Sequence, residues 1–523
     1  MDWLRKIRGL RSDKPPGPLE KTSPVTTSAI ALPAGEVMEL IERGYQAKDS
    51  GRLKEALALF HSAHIKDRNS DAAVTGLGLV YKDLNQPEDA LRQFNQVLAR
   101  KPDHVASLCN AAASLSMLGR TEEAIAFCHR ALEVDTSFEP ALTMLAQCLN
   151  ASGRHQDALV ICNQLVEAYP HHIRLRRNRA LTLHQLGRFD LALDDFRTIV
   201  ALEPSDQQAR YSLGLNALLC GDFATGWSFH EARFAIGAAG GHPLAGRIDQ
   251  AAWDGKRSLN DKTMLLYAEQ GYGDTIQFSR YCQMVKARGA HVLLGVPAAL
   301  RPLFRNLEGV DELIPDGREL PHFDEHCALM SLPLAFDTRL DTIPEIGAVL
   351  AASPDKQMLW RHRLGEKQRL RAAVSWKGNP RHTDDAKRSL SLAEFSTLFS
   401  LPMDFLVIQF GITEAERAIL ATRNNVRDVT AEVVDFEDSA ALFEQCDLVI
   451  SIDSAPAHLA GAMAKPCCIL IAQPPEWRWL LEREDSPWYQ SVRLFRQPRP
   501  GDWQGALARL TLHLSALIEG SDS

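Results

Sequence analysis

The chain holds ten cysteines in 523 residues, yet no two stand in the CxxC spacing of a thiol metal site or redox motif. Several, Cys128 and Cys162 among them, fall at apolar positions of helical segments, which fits reduced core thiols. The 17 histidines likewise lack paired metal-ligand spacing, so no metal is expected. No apolar run reaches membrane-spanning length, and the opening MDWLRKIRGLR lacks the apolar core of a signal peptide. A cytoplasmic protein without a transmembrane segment is the expectation. Strong positive charge is missing too: the formal net charge is −8, with no long basic stripe, which argues against a nucleic-acid partner. What remains is an ordinary globular composition, 45% hydrophobic and 24% charged, in a chain long enough for about two to four domains.

Residues 1–36 read as a basic N-terminal segment followed by a flexible linker rich in Pro, Ser, Thr and Lys. From Val37 the chain repeats. Units start at Val37, Asp71, Val105, Glu139, Ile173 and Gln207, each 34 residues after the last. The eighth position is always small: Gly44, Gly78, Ala112, Ala146, Ala180 and Gly214. The twentieth is Ala56, Ala90, Ala124, Ala158 and Ala192, then Gly226, and four residues on come Phe60, Phe94, Cys128, Cys162, Phe196 and His230. Small residues at two fixed positions let paired helices approach closely, and the residue four beyond packs between units. This is the tetratricopeptide pattern, and it predicts an α-solenoid of six units over 37–240. The concave face of such a superhelix commonly holds an extended protein segment, so a protein acceptor or partner is expected there; a spacer or dimerisation stack is the alternative. The last unit departs from the pattern, with Gly226 and Trp227 in GDFATGWSFHEARF, as befits a terminal unit docking on something other than a repeat.

After a connector (241–262), short apolar strands alternate with helices. The series 263–360 and 361–523 predict two facing Rossmann-like halves, with a basic helix at Trp360–Arg371 between them. The closing helix, Trp503–Ile518, is expected to return and brace the first half.

Three polar loops fall at strand ends. The first, Gln270–Asp274, is a strand-to-helix turn in which Gly271 and Gly273 flank Tyr272. Such turns bring backbone N–H groups to an anionic ligand. It is not a dinucleotide fingerprint, because Ile276 stands where the third glycine belongs and HVLLGV ends without an acidic residue. Asp274 could serve as a general base from the first helical turn, or simply cap the helix. The second loop, WKGNPRHTDDAKRS, carries the basic residues Lys377, Arg381, Lys387 and Arg388, with Asn379 and Ser389 among them; a solvated surface loop is the alternative. The third, DSAPAH, places Ser454 to cap a helix and Pro456 in its first turn, with His458 just inside. That N-terminus and a neighbouring Lys or Arg could hold a diphosphate without metal. His458 could equally be a hydrogen-bonded core residue. Together the loops favour a functional reading.

These residues also carry a resemblance. Gly273-Asp274, and DSAPAH followed by LAGAMAKP, resemble the signature of the heptosyltransferase-like glycosyltransferases (family 9, GT-B fold). The longer pattern EQGYGD, GNPRH…RSLSL, ISIDSAPAHLAGA and WRWLLEREDSPWYQ resembles bacterial proteins that fuse tetratricopeptide repeats to such a transferase, flagellin glycosyltransferases included. The resemblance implies metal-independent, inverting transfer from a nucleotide-sugar co-substrate, with no other cofactor. Asp274 would be the base. Gly271, Gly273, Lys377, Asn379, Arg388, Ser389, Gln409, Asp453, Ser454, Ala455 and His458 would form the donor side, with Gln409 toward base or ribose. Ala455 replaces the signature's glycine and would bring a Cβ close to the donor phosphates. The repeats point to a protein acceptor, with flagellin a candidate by resemblance; transfer to an envelope glycan and a non-catalytic scaffold are the rival functions. Trp477–Trp479 is assigned to packing and left outside the site.

Overall fold

The computed structural model describes residues 34–237, 248, 250–314, 320–345, 347–381 and 385–521. The basic opening and most of the linker lie outside the described residues. The chain divides into two compact units, Met1–Leu202 and Glu203–Ser523.

In the first unit ten helices run from Ala34–Asp49 to Phe189–Leu202 in five successive pairs among the described residues. Each pair is one repeat. The 34-residue pattern is spatial: Phe60 is fully buried, and a Cβ on Gly76 would stand 2.3 Å from its ring, one on Gly44 2.8 Å. Gly44 and Gly78 go with Phe60 and Phe94, and Ala112 and Ala146 with Cys128 and Cys162, while Ala180 keeps a large partner in Phe196. In the first four units large and small are exchanged in a way that keeps the interior filled. The turn within each pair needs a left-handed residue, supplied by Gly51, Gly119, Gly153 and Gly187 (φ 71–76°) and, in the second unit of the series, by Asn85 at φ 58°. One buried charge breaks the apolar run: Asp195, 1% exposed, accepts from Arg176 Nη1 at 2.6 Å and from Arg179 Nε and Nη2 at 2.8 and 2.7 Å.

The second unit opens with the sixth helix pair, Gln207–Leu219 and Phe223–His230. By compactness the division therefore falls ahead of this sixth repeat. Two all-parallel sheets follow. The first has the order β3 (Glu312–Ile314), β2 (His291–Gly295), β1 (Thr263–Tyr267), β4 (Glu325–Ala328). The second has the order β10 (Val492–Arg496), β9 (Cys467–Ile471), β8 (Leu448–Ile452), β5 (Arg371–Val374), β6 (Asp404–Val407), β7 (Val426–Asp428). Strands such as LVISI and CCILI are buried at every position, as parallel strands covered on both faces must be. In each sheet the chain builds outward to one side and then crosses to the other, leaving a switch between β1 and β4 and another between β5 and β8. Ligands of such sheets lie beyond the strand ends at these switches.

Two expectations are corrected here. The basic helix runs Pro354–Leu364, so residue 360 lies inside it, and Trp360 donates its indole N–H to Asp438 of the second half. The closing helix, Trp503–Ser521, does not brace the first half. Its apolar stripe (Trp503, Ala506, Leu507, Leu510, Leu514) joins the core of the second sheet with Ile450, Cys468 and Phe495. That stripe follows i, i+3, i+4, i+7 spacing, and the helix packs against β9 and β10.

Candidate functional site

The loop after β1 turns abruptly. Ala268 extends the pairing to Gly295 (2.9 Å), Glu269 is buried, Gln270 takes φ 60°, and Gly271 precedes the helix Tyr272–Phe278. Asp274 sits at the third residue of that helix. Its Oδ2 accepts the Gly271 N–H at 2.9 Å, which is the capping role, while Oδ1 pairs with Arg478. Capping and site geometry thus belong to different oxygens of one carboxylate. Gly273 has a separate reason to be glycine. A Cβ there would stand 2.7 Å from His458 Cδ2, so its absence lets this helix lie against Ala455–Ala462 of the second half.

At the end of β8, Asp453 leads into the helix Ala455–Ala462. Ser454 occupies the cap position without making the cap bond; its hydroxyl meets Ser451 Oγ at 3.1 Å and donates to the Ile452 carbonyl. The side chain is drawn back to its own strand. Ala455 is the half-buried first residue, and His458 is 5% exposed. His458 Nδ1 meets the Tyr489 hydroxyl at 3.0 Å, its ring stacks on Trp479, and Nε2 faces Asp453 at 3.9 Å. Burial drives the imidazole well below its ordinary value, and Arg478, Arg280 and Arg388 push the same way, so His458 is neutral. Burial raises Asp453, with Asp274 adding to the effect and Arg388 and Arg478 opposing it.

The loop after β5 connects to this centre through Arg388, whose Nη1 donates to the Asp453 carbonyl at 3.0 Å. Asp385 holds Arg388 Nε at 3.3 Å and accepts from Ser389 at 3.1 Å, and Ser389 in turn receives the Gly378 N–H. Lys377 pairs with Glu416, and exposed Asn379 closes a turn on the Arg381 N–H. Gln409 is 3% exposed and its amide is spent on backbone: Oε1 accepts from Trp376 and Lys377, and Nε2 donates to the carbonyls of Lys377 and Phe410. It staples the loop instead of presenting a free amide toward base or ribose.

Sequence reasoning missed the residue at the middle. Arg478, in the loop after β9, donates to Asp274 through Nη2, to Glu476 Oε1 through Nη1 and to Gln277 Oε1 through Nε at 2.7 Å. It lies over the Trp477 ring at 4.2 Å. Three carboxylates, Asp274, Glu476 and Asp453, therefore surround one guanidinium. Burial pushes Glu476 up to about 7 against the pull of Arg478, with Asp453 and Asp274 adding to the rise. The available signal was position: PPEWRW follows a buried strand at the same sheet end as DSAPAH. The fold thus gathers Gly273, Asp274, Asp453, His458 and Arg388 with Arg478, Glu476 and Tyr489, while Lys377, Asn379, Ser389 and Gln409 shape the adjoining loop. Among the described residues no cluster of His, Cys, Asp or Glu is arranged to hold a metal, and no helix is long and apolar enough to cross a membrane. Among the described residues no cysteine forms a disulfide.

Tetratricopeptide repeats are matched over residues 47–112 and 145–211, and glycosyltransferase family 9 (heptosyltransferase) over residues 406–497. Protein FlbA of Caulobacter vibrioides is 25% identical over 374 residues, covering 66% of this chain and 62% of that protein, so the match spans under two thirds of that relative. Among solved structures, a thermophilic tetratricopeptide-repeat protein of Thermus thermophilus aligns over 35% of this chain and all of its own (20% identity, TM-score 0.33). PilF of Pseudomonas aeruginosa aligns over 38% and 91% (17% identity, TM-score 0.35). Repeat matches in the first part of the chain are thus followed by a glycosyltransferase family 9 match in the second.

Proposed function

We propose that this chain is a glycosyltransferase that moves a sugar from a nucleotide-activated donor to a Ser or Thr hydroxyl of a protein acceptor held by the repeats. The observation that carries the reading is the Asp274–Arg478 pair, a carboxylate at a strand end of the first sheet oriented by a guanidinium from a strand end of the second. Asp274 takes the proton from the acceptor hydroxyl. The freed oxygen attacks the anomeric carbon from the face opposite the leaving group. The anomeric C–O bond breaks through an oxocarbenium-like state, configuration inverts, and the bonding pair departs with the nucleotide phosphate. Arg388, Lys377 and the backbone donors that open Ala455–Ala462 receive that charge, which removes the need for a metal. Neutral His458 and Asp453 shape the donor side. The resemblance to flagellin glycosyltransferases makes flagellin the acceptor of first choice, and the cytoplasm is the proposed place of action.

The test is Asp274→Asn assayed with sugar nucleotides of the UDP, GDP, ADP and CMP classes and flagellin. Transfer should fall by roughly 10²–10⁴-fold, the range of a lost general base, while the melting shift produced by the free nucleotide stays as in the parent. Unchanged turnover would remove Asp274 from the chemistry. A parent protein that binds no nucleotide and transfers no sugar would leave a binding scaffold.

A further inference from the structure

The sixth repeat reaches both the loop that ends in Asp274 and the turn that carries Arg478. On one side, Arg233, in the short turn after Phe223–His230, is fully buried. Its Nε and Nη2 donate to Glu269 Oε2 and Oε1 at 3.1 and 2.7 Å, and Nη2 also reaches Ser331 Oγ at 2.7 Å. Glu231 closes the network on Arg233 and Ser331. Glu269 is the first residue of the loop that ends in Asp274, and its side chain is as buried as that of Arg233.

On the other side, the helix Gln207–Leu219 packs on Trp477–Trp479, the turn that carries Arg478. Trp227 lies edge-on to Trp477 at 5.3 Å and to Trp488 at 6.3 Å, and donates its indole N–H to the Thr338 carbonyl at 3.1 Å. Phe223 stacks on Trp488 at 6.0 Å. The pair is drawn in tightly, since a Cβ on Gly214 would stand 2.7 Å from the His230 nitrogen and one on Gly226 2.6 Å from Leu218. A repeat that only held a partner would need neither the buried ion pair nor the aromatic wall.

We infer that the sixth repeat is part of the catalytic machinery, with Arg233 the positioning residue that fixes the Asp274 loop through Glu269. This inference rests on the transferase reading for its kinetic consequence only. Its physical basis is the planar fork of arginine: two parallel N–H donors fix a carboxylate in direction as well as distance. Glu269 held in that way leaves its loop one way to run, and the Gly271 N–H then meets Asp274.

The experiment uses the full chain. Arg233→Met alone strands a buried carboxylate, so it is paired with Arg233→Met/Glu269→Met, since an apolar pair of similar volume can replace a buried ion pair without loss of stability. Arg233→Lys, which keeps the charge and loses the fork, is the gentle variant. Three quantities are read: turnover of the sugar nucleotide used by the parent, melting shift with the matching free nucleotide, and amide hydrogen exchange of the peptide spanning Ala268–Tyr272. Folded variants should lose turnover at least tenfold, keep the nucleotide shift, and exchange the Ala268–Tyr272 amides at least tenfold faster. Arg233→Lys should fall between them and the parent. A folded double variant with turnover within twofold of the parent and unchanged exchange overturns the inference. If the parent turns over no sugar nucleotide, the transferase reading falls, while the exchange measurement still decides whether Arg233 fixes the loop.

Discussion

Asp195 in the first unit and Asp274 in the second are both bonded to arginine, and their surroundings make them opposites. Asp195 is 1% exposed and answered by two guanidiniums, Arg176 and Arg179, so that three charge-assisted bonds satisfy one carboxylate. Asp274 shares a single guanidinium, Arg478, with Glu476, and Asp453 crowds the same charge. One cluster is over-compensated and closed; the other has surplus negative charge at the ends of two sheets. Structural ion pairs and functional ones are told apart less by the bond than by the balance of charge around it.

Four substitutions sharpen that comparison. Arg478→Met should have the largest effect, since it leaves three carboxylates without their common counter-charge. Turnover should drop at least ~100-fold, and melting of the transferase unit should show a loss of about 3–5 kcal/mol. Asp195→Asn should destabilise the repeat unit by about 3 kcal/mol in chemical denaturation, with little effect on turnover per folded molecule. The same change at Asp274 should leave melting unaltered or raised, because it relieves repulsion among the carboxylates. If both asparagine variants lose stability alike, the distinction between the two clusters is wrong.

The smallest effect is the pH response of Glu476. Its folded value is raised to about 7 by burial, above the ordinary carboxylate value of about 4.3 in the unfolded chain. Between those values the folded state holds a proton that the unfolded state has released, so stability should fall as pH rises from about 4.3 to 7. Glu476→Gln removes that contribution. The melting temperature of the parent should drop relative to the variant across this window, and parallel curves would place Glu476 among ordinary carboxylates.

The two units were also unequally legible. The repeats could be read because their register is a packing rule: Gly44 and Phe60 stand 16 apart in a fixed motif and meet in space. The strand-end loops could be read for the same kind of reason, since Asp274, Asp453 and His458 each follow a short buried strand. Gln409 could not, because its partners are backbone groups of a loop 32 residues away. Nor could Arg478, whose bond to Asp274 spans 204 residues. The closing helix showed its apolar stripe plainly in sequence, but not which sheet it would cover.

The sequence by itself determined the 34-residue repeat, the two series of buried strands and the loops at their ends, because each is written in local spacing: one helix turn, one alternation, one cap. Only the tertiary structure decided that the sixth repeat belongs with the unit that holds the two sheets and that Arg233 secures Glu269. It alone placed Arg478 between Asp274 and Glu476. Those pairings join residues far apart in the chain, and the energy of a buried charge depends on which other charges the fold brings beside it.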